Sequence, residues 1–282
     1  MSSPDTEATH TATPAGLPFA LTCPIHVAEV GLKAHDVEKI AEYYRTILGL
    51  ETLASPAGSV VLGAGGVRLL NIEPAPRGAL PDDTRQAGLF HTAFLMPTRA
   101  DLGRWILHAS ESRLPVDGMA DHLVSEAFYL TDPEGNGVEI YSDRPTREWN
   151  WDGDTVRMAT DPLDVNAIVA ALDDPAARWN GAPEFLRIGH VHLRVGDART
   201  ASDWWRSEVG LEQVTAMPSA AFLSSGRYHH HVGANNGQSR GAGPRDPNRS
   251  GLAYVTLAGS GIAAERELAD PWGTRIRLRP GA

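Results

Sequence analysis

The stretch DVEKIAEYYRTILGLE at Asp36–Glu51 returns later in the chain as DARTASDWWRSEVGLE at Asp197–Glu212. Both copies begin with an Asp that can cap a helix N-terminus, and both contain a Gly that can end the helix in the left-handed conformation. The paired aromatic residues and the closing Gly-Leu-Glu keep the same register. An internal repeat of this kind indicates a chain built from repeated structural units.

Apolar runs on either side of each copy predict short strands. They lie at 30–34 and 59–66 around the first copy, and at 191–195 and 220–226 around the second. The predicted unit is therefore a strand, then a helix, then two or three further strands.

A second kind of unit follows each copy. It begins at Gly88 with GLFHTAF and ends at Phe128–Ile140 with FYLTDPEGNGVEI, whose Asp-Pro-Glu-Gly-Asn-Gly run predicts a hairpin turn. GLAYVTLAG at Gly251 and DPWGTRIRL at Asp270 repeat these two ends with a much shorter stretch between them. We expect an α+β fold of four βαβββ units, the fourth shortened, which pair into two barrels of mixed sheet.

Stretches rich in Pro, Gly and polar residues predict the boundaries along the chain. We expect a flexible tail at 1–24 and a first segment with units one and two at 25–144. A linker at 145–186 then leads to a second segment with units three and four at 187–282.

The composition argues against several classes of partner. The 282-residue chain has 25 Lys and Arg residues against 35 Asp and Glu, a formal net charge of −10. This acidic balance argues against binding to nucleic acid or to an anionic membrane, and no apolar run is long enough to span a bilayer. The single cysteine, Cys23, cannot form an internal disulfide, which fits a reducing cytoplasm.

Three strings carry a resemblance to a known family: SEAFYLTDPEGNGVEIYSDRP at 125–145, IGHVHLRVGD at 188–197 and YHHHVGAN at 228–235. With the paired-aromatic helices, they resemble the vicinal-oxygen-chelate superfamily, whose members include glyoxalases, bleomycin-binding proteins and extradiol ring-cleaving dioxygenases. The resemblance covers nearly the whole chain. Within the superfamily, the chain is most similar to the catechol 2,3-dioxygenase type.

This resemblance implies three metal ligands. His91 stands at the first-strand ligand position of unit two, Glu139 at the last-strand position of that unit, and His190 at the first-strand position of unit three. Two imidazoles and one carboxylate form the facial triad typical of non-haem Fe(II), which leaves neighbouring coordination positions for substrate and dioxygen. Mn(II) suits the same donors.

The pairing of the units decides whether this triad is complete. Neighbour pairing would give one pair Glu29, His91 and Glu139, and would give the other pair His190, Tyr254 and Arg277. The second set cannot hold a divalent ion, because Arg277 is cationic. We therefore predict that units two and three form the working barrel and that one and four form a metal-free partner. The Glu29–His91–Glu139 site is the alternative.

The resemblance also assigns residues around the metal. His230 matches the acid–base histidine of extradiol enzymes, and an imidazole suits that role because its pKa lies near neutrality. Tyr129 matches a tyrosine that hydrogen-bonds substrate or intermediate, and His122 lies close to a further family histidine, with slightly different spacing. His192 shares the predicted strand face of His190 and is a candidate substrate-binding residue. If 228–231 is a strand, His230 points away from the histidines on either side of it.

The predicted function is Fe(II)-dependent extradiol cleavage of a small aromatic diol with O2. Two alternatives stay open, a glyoxalase-type metal-dependent lyase or isomerase and a non-enzymatic, ligand-sequestering member of the same fold. We expect no nucleic-acid or membrane partner. A homo-oligomer also stays open, because the shortened fourth unit could expose a dimer surface.

Overall fold

The structure is a computed structural model that describes residues 16–281 except 173, 175 and 177. Its strands are β1 (His26–Ala34), β2 (Glu51–Ala54), β3 (Val60–Ala64), β4 (Val67–Pro74), β5 (Gly88–Leu95), β6 (Gly118–Asp121), β7 (Ser125–Thr131), β8 (Gly137–Asp143), β9 (Trp151–Asp152), β10 (Thr155–Val156), β11 (Arg187–Arg194), β12 (Glu212–Met217), β13 (Ala220–Ser224), β14 (Val232–Asn235), β15 (Gly251–Gly259), β16 (Arg266–Ala269) and β17 (Arg275–Pro280). Its α-helices are α1 (Val37–Leu48), α2 (Arg99–Glu111), α3 (Val165–Val169) and α4 (Ala198–Trp204), which continues as a π-helical turn over Trp205–Val209. None of the described helices combines the length and the apolar character needed to cross a membrane.

Two curled mixed sheets carry the predicted units. One has eight strands in the order β12-β13-β14-β11-β5-β8-β7-β6, and the other has seven in the order β16-β17-β15-β1-β4-β3-β2. In the first sheet β5 of unit two pairs antiparallel with β11 of unit three, and in the second β1 of unit one pairs with β15 of unit four. The predicted pairing of two with three and of one with four is therefore confirmed.

The helices begin and end where the repeat predicts. Asp36 and Asp197 each accept a hydrogen bond from the backbone N–H three residues later, at 3.0 and 2.7 Å. Gly49 and Gly210 end the two helical segments with φ values of 67° and 85°, which glycine adopts without strain. The described residues from Gly251 onward form β15 to β17 and no helix, as expected for a shortened fourth unit.

The residues just before β1 pack against the protein instead of forming a tail. Phe19–Thr22 forms one 3-10 turn, and Ala20 and Cys23 are buried in an apolar cluster that includes Tyr141 and Trp149. The predicted flexible tail therefore does not include these residues, because their apolar side chains find a place in the core. Residues 1–15 of the predicted tail lie outside the described residues.

His231 anchors this N-terminal turn. Its Nε2–H donates to the Ala20 carbonyl at 3.0 Å, and its Nδ1 accepts from the Ser225 backbone N–H at 3.3 Å. Burial lowers the pKa of His231 to about 3. Between about pH 6.5 and pH 3 the unfolded chain therefore binds a proton on this residue that the folded chain does not.

We predict that His231→Gln flattens the fall in stability on acidification. The free energy of unfolding of the wild type decreases as pH falls through this window, by up to about 1.4 kcal/mol per pH unit for one titrating group. Glutamine can still donate to the Ala20 carbonyl but does not titrate. Denaturant unfolding of the metal-free protein at a series of pH values between about 7 and 4 measures both slopes.

The control for this experiment is His35→Gln, at an exposed imidazole. Its slope should follow that of the wild type. Equal slopes for the wild type and His231→Gln would contradict the prediction.

Candidate metal centre

Three central strands of the eight-stranded sheet bring the predicted ligands together. Ala93 on β5 lies opposite Glu139 on β8 and opposite His190 on β11, and His91 lies two residues before it on the same strand. Residues directly opposite one another, and residues two apart along a strand, share a face of a sheet. The three donor side chains therefore project from one face around the small Ala93 side chain.

The spacing of the donor atoms matches that of neighbouring ligands on one metal ion. Glu139 Oε2 lies 2.9 Å from His91 Nε2 and 3.1 Å from His190 Nε2. Octahedral ligands at about 2.1 Å from an ion, and at right angles to each other, are separated by about 3.0 Å. All three side chains are buried, with at most 5% of any of these residues exposed.

The hydrogen bonds around the triad leave a donor atom free. His190 Nε2 is aligned for a hydrogen bond with the Glu139 carboxylate. His91 Nε2 is close enough to that carboxylate but is not aligned, and it has no hydrogen-bond partner among the described residues. A buried nitrogen in this state is costly unless something binds it. A cation between the three donors would bind it, so the residues present fit a metal ion.

The protonation states also suit a metal. Burial alone would raise the pKa of Glu139, but the adjacent His190 and His91 outweigh it and hold the pKa well below its usual value. Burial lowers the pKa of His190 to about 4, although Glu139 acts in the opposite direction. An ionised carboxylate and a neutral imidazole are the forms that coordinate metals.

A third imidazole, His192, lies beside the triad. It is opposite His91 in the register, and the two rings are 4.5 Å apart. The donor atoms of His91, His190 and His192 lie within 4.8 Å of one another. On its other side His192 packs against Gly233 of β14, where a Cβ would overlap the imidazole ring.

The run YHHH at 228–231 is not a strand, so the predicted alternation of its side chains is wrong. These residues form the connection between β13 and β14. His230 faces the candidate site and lies 3.0 Å from His192, Nε2 to Nε2. His229 Nδ1 lies 2.8 Å from His230 Nδ1, so the two neighbouring rings point to the same side. Burial, followed by the nearby imidazoles, lowers the pKa of His230 well below its usual value.

Tyr129 and His122 form a hydrogen-bonded pair across the cavity. Tyr129 on β7 lies opposite Glu139 in the register. His122 Nδ1–H donates to the Ala159 carbonyl at 2.6 Å, so its Nε2 accepts from the Tyr129 hydroxyl at 2.5 Å. Burial raises the pKa of Tyr129, which keeps this hydroxyl protonated.

All seven residues predicted for the site line one cavity of about 210 Å³. They are His91, His122, Tyr129, Glu139, His190, His192 and His230. Its apolar walls are the side chains of Phe90, Met158, Met217 and Phe222. Met158 and the two residues after it belong to the predicted linker, which crosses over the site.

Sequence reasoning missed two residues at the back of the site. His229 Nε2 lies 2.8 Å from Asp143 Oδ1, behind His230. A signal was available, since Glu139, Tyr141 and Asp143 alternate along β8 and share one face.

The seven-stranded sheet has a different set at the equivalent positions. The Tyr254 hydroxyl donates to Glu29 Oε1 at 2.5 Å, and Arg68 Nε lies 3.1 Å from Glu29 Oε2. The Arg277 guanidinium lies 3.5 Å above the Tyr254 ring. Glu29 therefore belongs to this cationic cluster and not to the site of His91 and Glu139, so the alternative ligand set is wrong.

Comparisons with known proteins identify relatives of this chain. The Glyoxalase/Bleomycin resistance protein/Dioxygenase superfamily matches residues 26–140. The chain is 35% identical over 237 residues to catechol-2,3-dioxygenase of Bacillus subtilis (strain 168), which covers 82% of each chain. It is 27% identical over 125 residues to biphenyl-2,3-diol 1,2-dioxygenase 3 of Rhodococcus globerulus, across 44% of this chain and 66% of that relative.

Its fold is similar to that of glyoxalase I from Zea mays, with a TM-score of 0.53 at 13% identity over 92% of this chain and 94% of that one. At this identity the likeness concerns the fold alone. The relative that matches most of the chain and the paired sheets point to one conclusion: the protein is a member of the glyoxalase/bleomycin resistance protein/dioxygenase superfamily.

Proposed function

We propose that the protein is an Fe(II)-dependent extradiol dioxygenase that cleaves a small catecholic ring with O2. The observation that carries this proposal is that His91 Nε2 and His190 Nε2 lie 2.9 and 3.1 Å from one Glu139 oxygen, inside a cavity that also holds the imidazole of His230. The dioxygenase name of the relative over 82% of the chain supports it. Mn(II) stays an alternative to Fe(II), because the same donors accept both.

His91, His190 and Glu139 would hold the metal. When bound, the ion would supply Lewis-acid and one-electron chemistry to the diol and O2, and would orient them side by side. With one carboxylate among the ligands, a bound divalent ion would give the site a net positive charge. This charge would favour an anionic diol.

His230 would move the proton of the substrate. Its imidazole lines the cavity, and burial keeps the ring neutral, so that one ring nitrogen has a lone pair for the hydroxyl proton. Tyr129 stays protonated and can donate a hydrogen bond to a substrate oxygen in place of His122. Phe90 and Phe222 offer apolar walls for the ring and exclude water.

The cavity favours a single ring. Its volume of about 210 Å³ is smaller than the roughly 300–1,000 Å³ usual for ligand pockets. A glyoxalase-type reaction is disfavoured, because a second carboxylate is expected there. Among the described residues that line the cavity, Glu139 is the one acidic side chain and the other ionisable groups are imidazoles and a tyrosine.

We predict that the full chain binds about one Fe(II) or Mn(II) ion and that His91→Ala and Glu139→Ala abolish tight binding. Each variant removes a direct donor, so its affinity should fall by more than the roughly 10- to 100-fold that loss of an outer hydrogen-bond partner costs. Anaerobic equilibrium dialysis with metal analysis measures stoichiometry and affinity. Glu29→Gln, in the other sheet, is the control and should bind as the wild type does. Wild-type affinity in Glu139→Ala would rule out the site.

We predict that the Fe(II)-loaded protein converts catechol in air to a yellow ring-fission product and that His230→Gln lowers kcat by about 10²- to 10⁴-fold. Glutamine keeps the size and polarity of the side chain but cannot accept the proton. Absorbance kinetics, with iron content measured on the same samples, separates catalysis from metal loss. His35→Gln should keep full activity. Absence of product from catechol and 3-methylcatechol with iron bound would favour the ligand-sequestering alternative.

A further inference from the structure

A series of hydrogen bonds runs from the cavity to Asp143, which lies on the same face of the eight-stranded sheet as Glu139. His230 lies at its inner end, with Nε2 3.0 Å from His192 Nε2 and Nδ1 2.8 Å from His229 Nδ1. His229 Nε2 lies 2.8 Å from Asp143 Oδ1. The His229 side chain is fully buried, whereas 16% of the Asp143 side chain is exposed.

Asp143 also lines a groove of about 540 Å³ that is separate from the cavity of the candidate site. Phe19, Arg144 and Glu148 also line this groove. Asp143 Oδ1 accepts a second hydrogen bond from the Tyr228 hydroxyl at 3.1 Å. The carboxylate is therefore fixed in place and is reachable from solvent.

The Asp143 carboxylate determines which atom donates in each hydrogen bond of this series. A carboxylate can only accept, so His229 carries its proton on Nε2 and its Nδ1 is a free acceptor. His230 must then donate from Nδ1, which leaves a lone pair on its Nε2. That nitrogen faces His192, which also lines the cavity, and His192 Nε2–H donates to it.

The contact between these two histidines requires an irregular backbone. The Nδ1–Nδ1 bond joins two consecutive residues, which would point to opposite faces in a regular strand. Gly226 and Arg227, just before the run, both have left-handed φ values, of 64° and 60°. This turn brings both rings to one side and aligns them with Asp143.

We propose that Asp143 and His229 are positioning residues that hold His230 in the tautomer with an unprotonated Nε2, ready to accept the proton of a bound hydroxyl. This inference rests on the proposed function for its catalytic consequence, but the tautomer itself does not depend on turnover. When the substrate O–H bond breaks, the proton forms a new bond to His230 Nε2 and stays there for its return. The positive charge on His230 is then stabilised through His229 by the Asp143 carboxylate.

The first test measures the tautomers directly. Nitrogen NMR of the full chain labelled with ¹⁵N-histidine, metal-free and with diamagnetic Zn(II) added, distinguishes protonated from unprotonated ring nitrogens. We expect the proton of His229 on Nε2 and that of His230 on Nδ1. A proton on His230 Nε2 in the neutral wild-type ring overturns the proposal.

The second test removes the carboxylate. Asp143→Ala should lose the preference of His230 for Nδ1–H and should lower kcat by about 10²-fold or more, with KM and iron content close to the wild type. Formate or acetate, which can enter the groove lined by residue 143, should restore part of kcat in this variant and none in the wild type. A merely structural role would not give this rescue.

The matched control is Glu148→Ala, which removes a carboxylate from the same groove and leaves the hydrogen bonds of His230, His229 and Asp143 in place. It should keep both the tautomer and kcat. An unchanged tautomer in Asp143→Ala overturns the proposal even if that variant is less stable. A wild type with the expected tautomer but no ring-cleaving activity would instead overturn the proposed function and leave this inference standing.

Discussion

The register of three strands around Ala93 is the constraint on which the site depends. Glu139 and His190 reach the same point because they lie opposite one small residue on β5, and His91 joins them two residues along. A shift of one residue in either pairing would turn a ligand to the other face of the sheet. The internal repeat therefore matters for the candidate site as well as for the fold, since the candidate ligands come from two different units.

The two sheets balance a buried carboxylate in different ways. In the seven-stranded sheet, Glu29 lies 3.1 Å from the guanidinium of Arg68 and accepts from Tyr254, so a cation tethered to the chain is already present. In the eight-stranded sheet, Glu139 is surrounded by imidazoles whose neutral forms are favoured by burial, as His190 shows. A buried, uncompensated carboxylate is costly. A divalent ion held by the candidate ligands would compensate Glu139, whereas Arg68 already compensates Glu29.

Helix caps and unit pairing could be predicted from the sequence because each depends on local pattern or on charge. The ligands His91, His190 and Glu139 follow from the family resemblance and stay a prediction. Asp36 and Asp197 cap their helices as expected, and the cation of Arg277 correctly separated units one and four from units two and three. The turn at Phe19–Thr22 could not be predicted, because it depends on a partner, His231, that is remote in sequence.

The YHHH run shows why the back of the site was harder to predict than the front. A short segment between two strands is most simply predicted to be a strand as well. In a strand, neighbouring side chains point to opposite faces of the sheet. Gly226 and Arg227 both have left-handed φ values, and this turn of the backbone brings the two histidine side chains to the same side. Only one of these two residues is a glycine. The glycine is needed for space as well, because a Cβ at Gly226 would meet Pro24 and Cys23 of the N-terminal turn. The packing of that turn thus helps to set the backbone conformation in which His229 and His230 share a hydrogen bond. The turn could not be predicted from the sequence, yet it contributes to the chemistry proposed for the cavity.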